Sequence, residues 1–159
     1  MPDEQGELAQ RAAILDRLKD LFYQQIEQFH KLLTVLENQQ TAIESGSGES
    51  VLAYIEIEES IVAGIVSTQK VIDPLETMYI PAEPANEQAK VDISTQKSTL
   101  EYLKNRAIVQ SEHNKSLISG RMANIGTEIK TLKNDPWAIA ARRSIYNNTS
   151  IASLIDIEG

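Results

Sequence analysis

The sequence predicts an all-α protein: an elongated antiparallel bundle of three long helices with a C-terminal tail. Three observations predict it. Apolar residues recur at every seventh position from Leu8 to Ile43. One Gly/Ser turn and one proline-bearing linker divide the chain into long stretches without strand-like alternation. Hydrophobic residues make up 42% of the 159 residues but aromatics only 5%, so any core is aliphatic, as long helices favour.

The first helix spans about 7–45. Leu8, Leu15, Phe22, Phe29, Leu36 and Ile43 form its column. The intervening positions, Arg11, Leu18, Gln25, Leu32 and Gln39, make a weaker second column. Ile14, Leu21 and Val35 flank one side, and Ala12, Ile26 and Leu33 the other. A stripe this wide suits a helix packed against two neighbours. At 1.5 Å per residue the rod is roughly 58 Å long. Ser45-Gly46-Ser47-Gly48 ends it, because glycine supplies a left-handed cap and serine supplies turn chemistry.

The second helix spans about 50–79, with Ser50 as N-cap. Tyr54, Ile57, Ile61, Ile65, Ile72, Leu75 and Tyr79 are its expected inner positions. Valine and isoleucine are frequent here, but the length and the short preceding loop favour a helix returning along the first. Pro74 is expected either to kink it near Val71 or to restart it at Asp73-Pro74-Leu75-Glu76, an N-cap, N1-proline and N3-glutamate pattern. Pro81 and Pro84 then mark a linker. The third helix spans about 88–133, with a polar middle from Gln110 to Lys115, and Asn134-Asp135-Pro136 stops it. Residues 1–133 thus form the bundle. Residues 134–159 form a tail with the single tryptophan, Trp137, and several isoleucines but no helical period. Apolar anchors without periodicity fit a segment that folds on a partner; docking back on its own bundle is the alternative.

Composition excludes several functions. The net charge of −8 argues against nucleic acid as a partner. Between Lys31 and Lys70 there is no basic residue but six acids, Glu37, Glu44, Glu49, Glu56, Glu58 and Glu59. They form either a solvated face or a surface for a basic partner. The absence of cysteine removes disulfides, thiol nucleophiles and thiolate metal sites. The acidic N-terminus lacks the pattern of a signal peptide, and no apolar run approaches the roughly 20 residues that span a bilayer. The expectation is a cytoplasmic protein with no membrane insertion.

The residues lead to the expectation that the chain is not an enzyme. Glu27 and His30 have the E-x-x-H spacing of di-iron bundles, but Gln110 stands three before His113, so a second such motif is missing. No Gly-rich phosphate loop and no nucleophile elbow occur. No cofactor and no metal are expected.

Two stretches carry a resemblance. One runs His113-Asn114-Lys115-Ser116-Leu117-Ile118-Ser119-Gly120-Arg121-Met122-Ala123-Asn124-Ile125, followed by Ile129 and Leu132-Lys133. The other is Ser144-Ile145-Tyr146-Asn147-Asn148-Thr149. Both resemble the FlgN family of flagellar export chaperones, in which an Asn and two aliphatics open the last part of the final long helix and a tyrosine follows in the tail. The acidic segment from Glu37 to Tyr79 is similar to that family's central hairpin. The resemblance implies a protein that holds hook–filament junction proteins before secretion and delivers them to the cytoplasmic platform of the type III export gate. It places the client on Leu117, Ile118, Met122, Ile125, Ile129, Leu132, Trp137 and Ile139, and the export gate on Tyr146 and Asn147. The competing expectation is a self-associating coiled-coil scaffold or adaptor, a homodimer built on the column of the first helix.

Overall fold

The computed structural model describes residues 4–79, 87–125, 135–144 and 151. Among them there are four helices and no strand. Three are long: α1 (Glu4–Ser45), α2 (Gly48–Tyr79) and α3 (Glu87–Ile125). The fourth, α4, covers 136–144. The end expected for the third helix, 126–133, lies outside the described residues.

The first turn is built as its glycine demands. Gly46 has φ of +82°, where an L side chain is strained. Its N–H donates to Ile43 O at 3.2 Å, and the Ser47 N–H donates to Ala42 O at 3.1 Å. This pair of bonds is the Schellman closure of a helix. Ser47, not Ser50, caps α2: its Oγ accepts from the Ser50 N–H at 3.3 Å, and its carbonyl accepts from Val51. The connection is therefore only Gly46 and Ser47, and it turns the chain back sharply. Pro74 neither breaks nor restarts α2, which runs through it to Tyr79. The Asp73 carboxylate accepts from Gln69 one turn back, at 2.7 Å, instead of capping a new helix.

Side-chain bonds give the directions. Gln25 meets Gln69 and Gln39 meets Glu58, so α2 runs against α1. Gln96 meets Lys19, Asn114 meets Leu36 and Arg121 meets Glu44, so α3 runs along α1. The extensive helix packing is that of α1 on both neighbours. In this register the first turns of α1 precede any residue of α2 or α3 that could cover them. Leu8, expected in the column, is accordingly 51% exposed.

In each long helix one column of buried positions follows a 3.5-residue spacing, as in coiled coils, with further buried residues beside it. In α1 they are Leu15, Leu18, Phe22, Gln25, Phe29, Leu32, Leu36, Gln39 and Ile43. In α2 they are Val51, Ile55, Glu58, Val62, Ile65, Gln69 and Ile72. The column expected in α2 is thus shifted. Ile65 and Ile72 are inside, but Ile57 is 45% exposed and Tyr54, Ile61 and Leu75 are half-buried. α2 is aliphatic on most sides, and its true inner column contains Glu58 and Gln69, which disguise it. In α3 the corresponding positions include Leu100, Lys104, Ala107, Ser111, Asn114 and Ile118.

Two apolar clusters result. The long one runs from Leu15 to Leu36 of α1, with Val62, Ile65 and Ile72 of α2 and Ile93, Leu100, Leu103 and Ala107 of α3. The second sits at the α1–α2 turn and gathers Ala42, Ile43, Val51, Ile55, Ile118 and Ala140.

Candidate partner-binding site

The second cluster, at the tip of the bundle, is where three of the expected client residues, Leu117, Ile118 and Trp137, meet. α4 begins at Asp135-Pro136, an acid followed by a proline at the first helical position. The Ile139 N–H donates to Asp135 O at 3.1 Å. The same residues that were expected to end the third helix therefore start a new one. Ala140 and Ser144, four residues apart and so on one face of α4, are 0% and 8% exposed, and Ala138 is 6% exposed. Around Ala140 pack Ile43, Val51, Ile55 and Ile118, with Leu52, Tyr54, Leu117, Trp137 and Ala141 half-buried at the edge.

Trp137 rests on the start of α2. A Cβ added at Gly48 would lie 3.0 Å from its Nε1 and 3.0 Å from Pro136 Cβ, so the glycine makes the seat possible. The Arg121 guanidinium stands over the indole, 5.8 Å from the ring centroid. Arg121 also donates to Glu44 O at 2.9 Å, placing a cation on the carboxyl end of α1, whose own last turn has no basic residue. At the other end of α4, Arg143 grips Glu59 with two bonds, Nε to Oε1 at 2.9 Å and Nη2 to Oε2 at 2.6 Å. Glu56 adds a carboxylate at 3.7 Å. The fork of bonds from Glu59, more than the nearby charge of Glu56, raises the Arg143 pKa above its ordinary value. Further on, Ile151 is 1% exposed and belongs to the long cluster.

A polar layer separates the tip from the long cluster. Asn114 is 1% exposed. Its Nδ2 donates to Leu36 O and to Gln39 Oε1, both at 2.8 Å, and its Oδ1 accepts from Gln110 at 3.0 Å. Gln39 in turn donates to Glu58 at 3.3 Å, and Gln110 donates to Gln40 at 2.7 Å. One connected set of bonds joins all three long helices.

Of the residues expected to hold a client, Leu117, Ile118 and Trp137 are brought together in the tip cluster, with Ile118 fully buried. Met122 and Ile139 are half-buried. The side chain of Ile125, and Ile129, Leu132, Tyr146 and Asn147, lie outside the described residues. The tail does not stand apart from the bundle where it is described: α4 and Ile151 are docked on it. Gln39, Glu58, Glu59, Asn114 and Arg143 went unnoticed as a set in the sequence. The signal was present, since Gln25 and Gln39 interrupt the second column of α1 at inner heptad positions.

Glu27 and His30 are exposed on α1, and no group of three or more metal-ligating side chains forms among the described residues. Nor is any helix there long and apolar enough to cross a membrane.

No family model matches the sequence, and no solved structure matches it. A Treponema pallidum (strain Nichols) protein described as uncharacterized is 31% identical over 124 residues, 77% of this chain and 77% of that one. At that identity and coverage, the chain belongs to the same protein family as the Treponema pallidum protein.

Proposed function

We propose that the chain is an export chaperone of the FlgN type. In this reading an elongated antiparallel bundle holds the terminal helical segments of hook–filament junction proteins in the cytoplasm, prevents their premature assembly and delivers them to the type III export gate. One observation supports it most: Leu117, Ile118 and Trp137, selected by the resemblance, meet at one tip where a separate helix occupies an apolar groove. A groove between long helices that accepts one amphipathic helix has the shape this task needs. Asn114 and Arg121, from the same stretch, hold that groove's walls to α1.

The test is calorimetric titration of the full chain with terminal helical segments of hook–filament junction proteins. Binding at about 1:1, weakened roughly tenfold or more by Leu117→Ala in the groove's wall, supports the reading. Absence of heat with every such segment ends it. Tyr146→Ala is expected to weaken binding to the export-gate platform while client binding stays; equal loss of both refutes that division of labour.

A second reading has its own observation. Ile57, Val71 and Met78 of α2 are 45%, 44% and 55% exposed, in heptad register with Gly64. An open heptad column suits a self-associating scaffold. Light scattering of the purified chain separates the two: a tight dimer without a client favours the scaffold, a monomer the chaperone.

A further inference from the structure

We infer that the tip groove is a helix-exchange site. Helix 136–144 is its resident occupant, and the external partner is an amphipathic helix of the same chemistry, with small apolar residues on one face, an aromatic residue near its start and an arginine near its end. This deepens, and rests on, the reading given under Proposed function: it specifies the partner's chemistry and what that partner must displace.

Four observations carry it. A helix as short as α4 does not persist alone in water, so its order comes from the groove it fills. Its buried residues are the small Ala138, Ala140 and Ser144, with Trp137 only half-buried, and they remove little apolar area from water compared with the leucines of the long core. Its firmest specific contact is the Arg143–Glu59 fork, and Arg143 keeps a side-chain exposure of 32%, so this contact is open to water and to salt. The groove also has a matched charge pattern. Two acids on the α2 wall, Glu56 and Glu59, are met by Arg143 of α4. Their wall therefore selects a basic helix, and α4 satisfies it from within the molecule. A weakly held occupant with strong directional complementarity can be replaced by a better copy of itself.

Trp137 is the chain's one tryptophan, so its emission reports directly on where α4 is. The experiment titrates the full chain with a synthetic peptide of residues 135–151 carrying Trp137→Phe. The peptide is expected to shift Trp137 emission to the red, saturably, as the resident helix leaves. Arg143→Glu in the full chain is expected to shift the emission before any peptide is added, with helix content by circular dichroism nearly unchanged. That variant should bind the peptide about tenfold more tightly or better, because the tethered competitor has been weakened. Adding Glu59→Arg to Arg143→Glu should restore the original emission. If Arg143→Glu leaves both emission and peptide affinity at the values of the parent, α4 is fixed core and the inference fails. A second arm uses a junction-protein terminal helix as the ligand. Exchange with the 135–151 peptide but no response to that helix keeps the exchange site and removes the export-chaperone reading. Binding of that helix with Trp137 emission fixed does the reverse.

Discussion

The two apolar clusters sit in one bundle and are built by different rules. The long cluster is closed by large side chains at regular spacing, with Phe22, Phe29, Leu18 and Leu32 all nearly or fully inaccessible. Each of the three long helices that form it carries a repeat pointing at the same axis, and of the described tail only Ile151 joins it. The tip cluster uses alanines, a tryptophan at its edge and a segment far along the chain, and it needs an ion pair to hold its last helix. The layer of Gln39, Glu58 and Asn114 lies between them. The contrast teaches that a repeat specifies a permanent core, whereas a surface completed by a non-repeating segment remains available to other segments of similar chemistry. A polar layer at the boundary is expected to give the two regions separate stabilities.

The largest way to break this contrast is to attack the long cluster. Phe29→Ala is expected to cost about 3–5 kcal/mol. Chemical denaturation should then show α4 docking, read by Trp137, lost together with total helix content. The boundary layer comes next. Asn114→Ala leaves the buried Gln39 amide oxygen without its donor and removes the second bond to the Leu36 carbonyl, at a cost of about 1–3 kcal/mol. Hydrogen exchange should then quicken on both sides of residue 114. Trp137→Ala is expected to cost about 1–2 kcal/mol and to act locally. Amides of 136–144 should exchange faster while those around Phe29 keep their protection; equal loss in both places would mean that the clusters are one cooperative unit. The Gln25–Gln69 pair tests the opposite sign. Gln25 Oε1 is buried with no hydrogen-bond partner, so the double change Gln25→Leu and Gln69→Leu is expected to be neutral or stabilising by about 1 kcal/mol in thermal melts.

The smallest effect concerns acid. Bonds from Gln88 and then Lys19 hold the Asp92 carboxyl below its usual range. A carboxylate depressed by folding stabilises above its unfolded pKa, and that contribution disappears as pH falls through its folded value. Asp92→Asn should flatten the acid limb of the stability curve slightly and leave the tip untouched, because Asp92 lies at the far end of α3.

Much of this was legible in the residues. The inner columns of α1, the Gly46 turn and the return of α2 follow from local rules that no long-range contact overrides. Three matters were not legible. The inner column of α2 was misplaced because Ile57 and Ile61 are as apolar as Ile55 and Val62, and only the partner of Glu58 reveals which side faces in. The polar middle of α3 carries no apolar inner column, yet Ser111 and Asn114 are buried, Asn114 because the Gln39 amide of α1 stands opposite to receive it. The tail lacked a period, since a single helix of 136–144 is too short to display one and its inner face is alanine rather than leucine. Among the client positions, Leu117, Ile118 and Trp137 do converge, but the reason lies in Gly48 and Glu59, distant residues that make room for the tryptophan and bind the arginine.

The order in which partners occur along the chain has a consequence during synthesis. Gln39 and Glu58 are 19 residues apart, Asn114 and Leu36 are 78 apart, and Arg143 and Glu59 are 84 apart. The α1–α2 hairpin can zip from its two-residue turn as soon as it leaves the ribosome, while α3 waits and α4 comes last. At about 5–20 residues per second, several seconds separate a finished hairpin from the arrival of Arg143. For that interval every nascent copy has an unfilled acidic tip, and the first helix to reach it need not be its own.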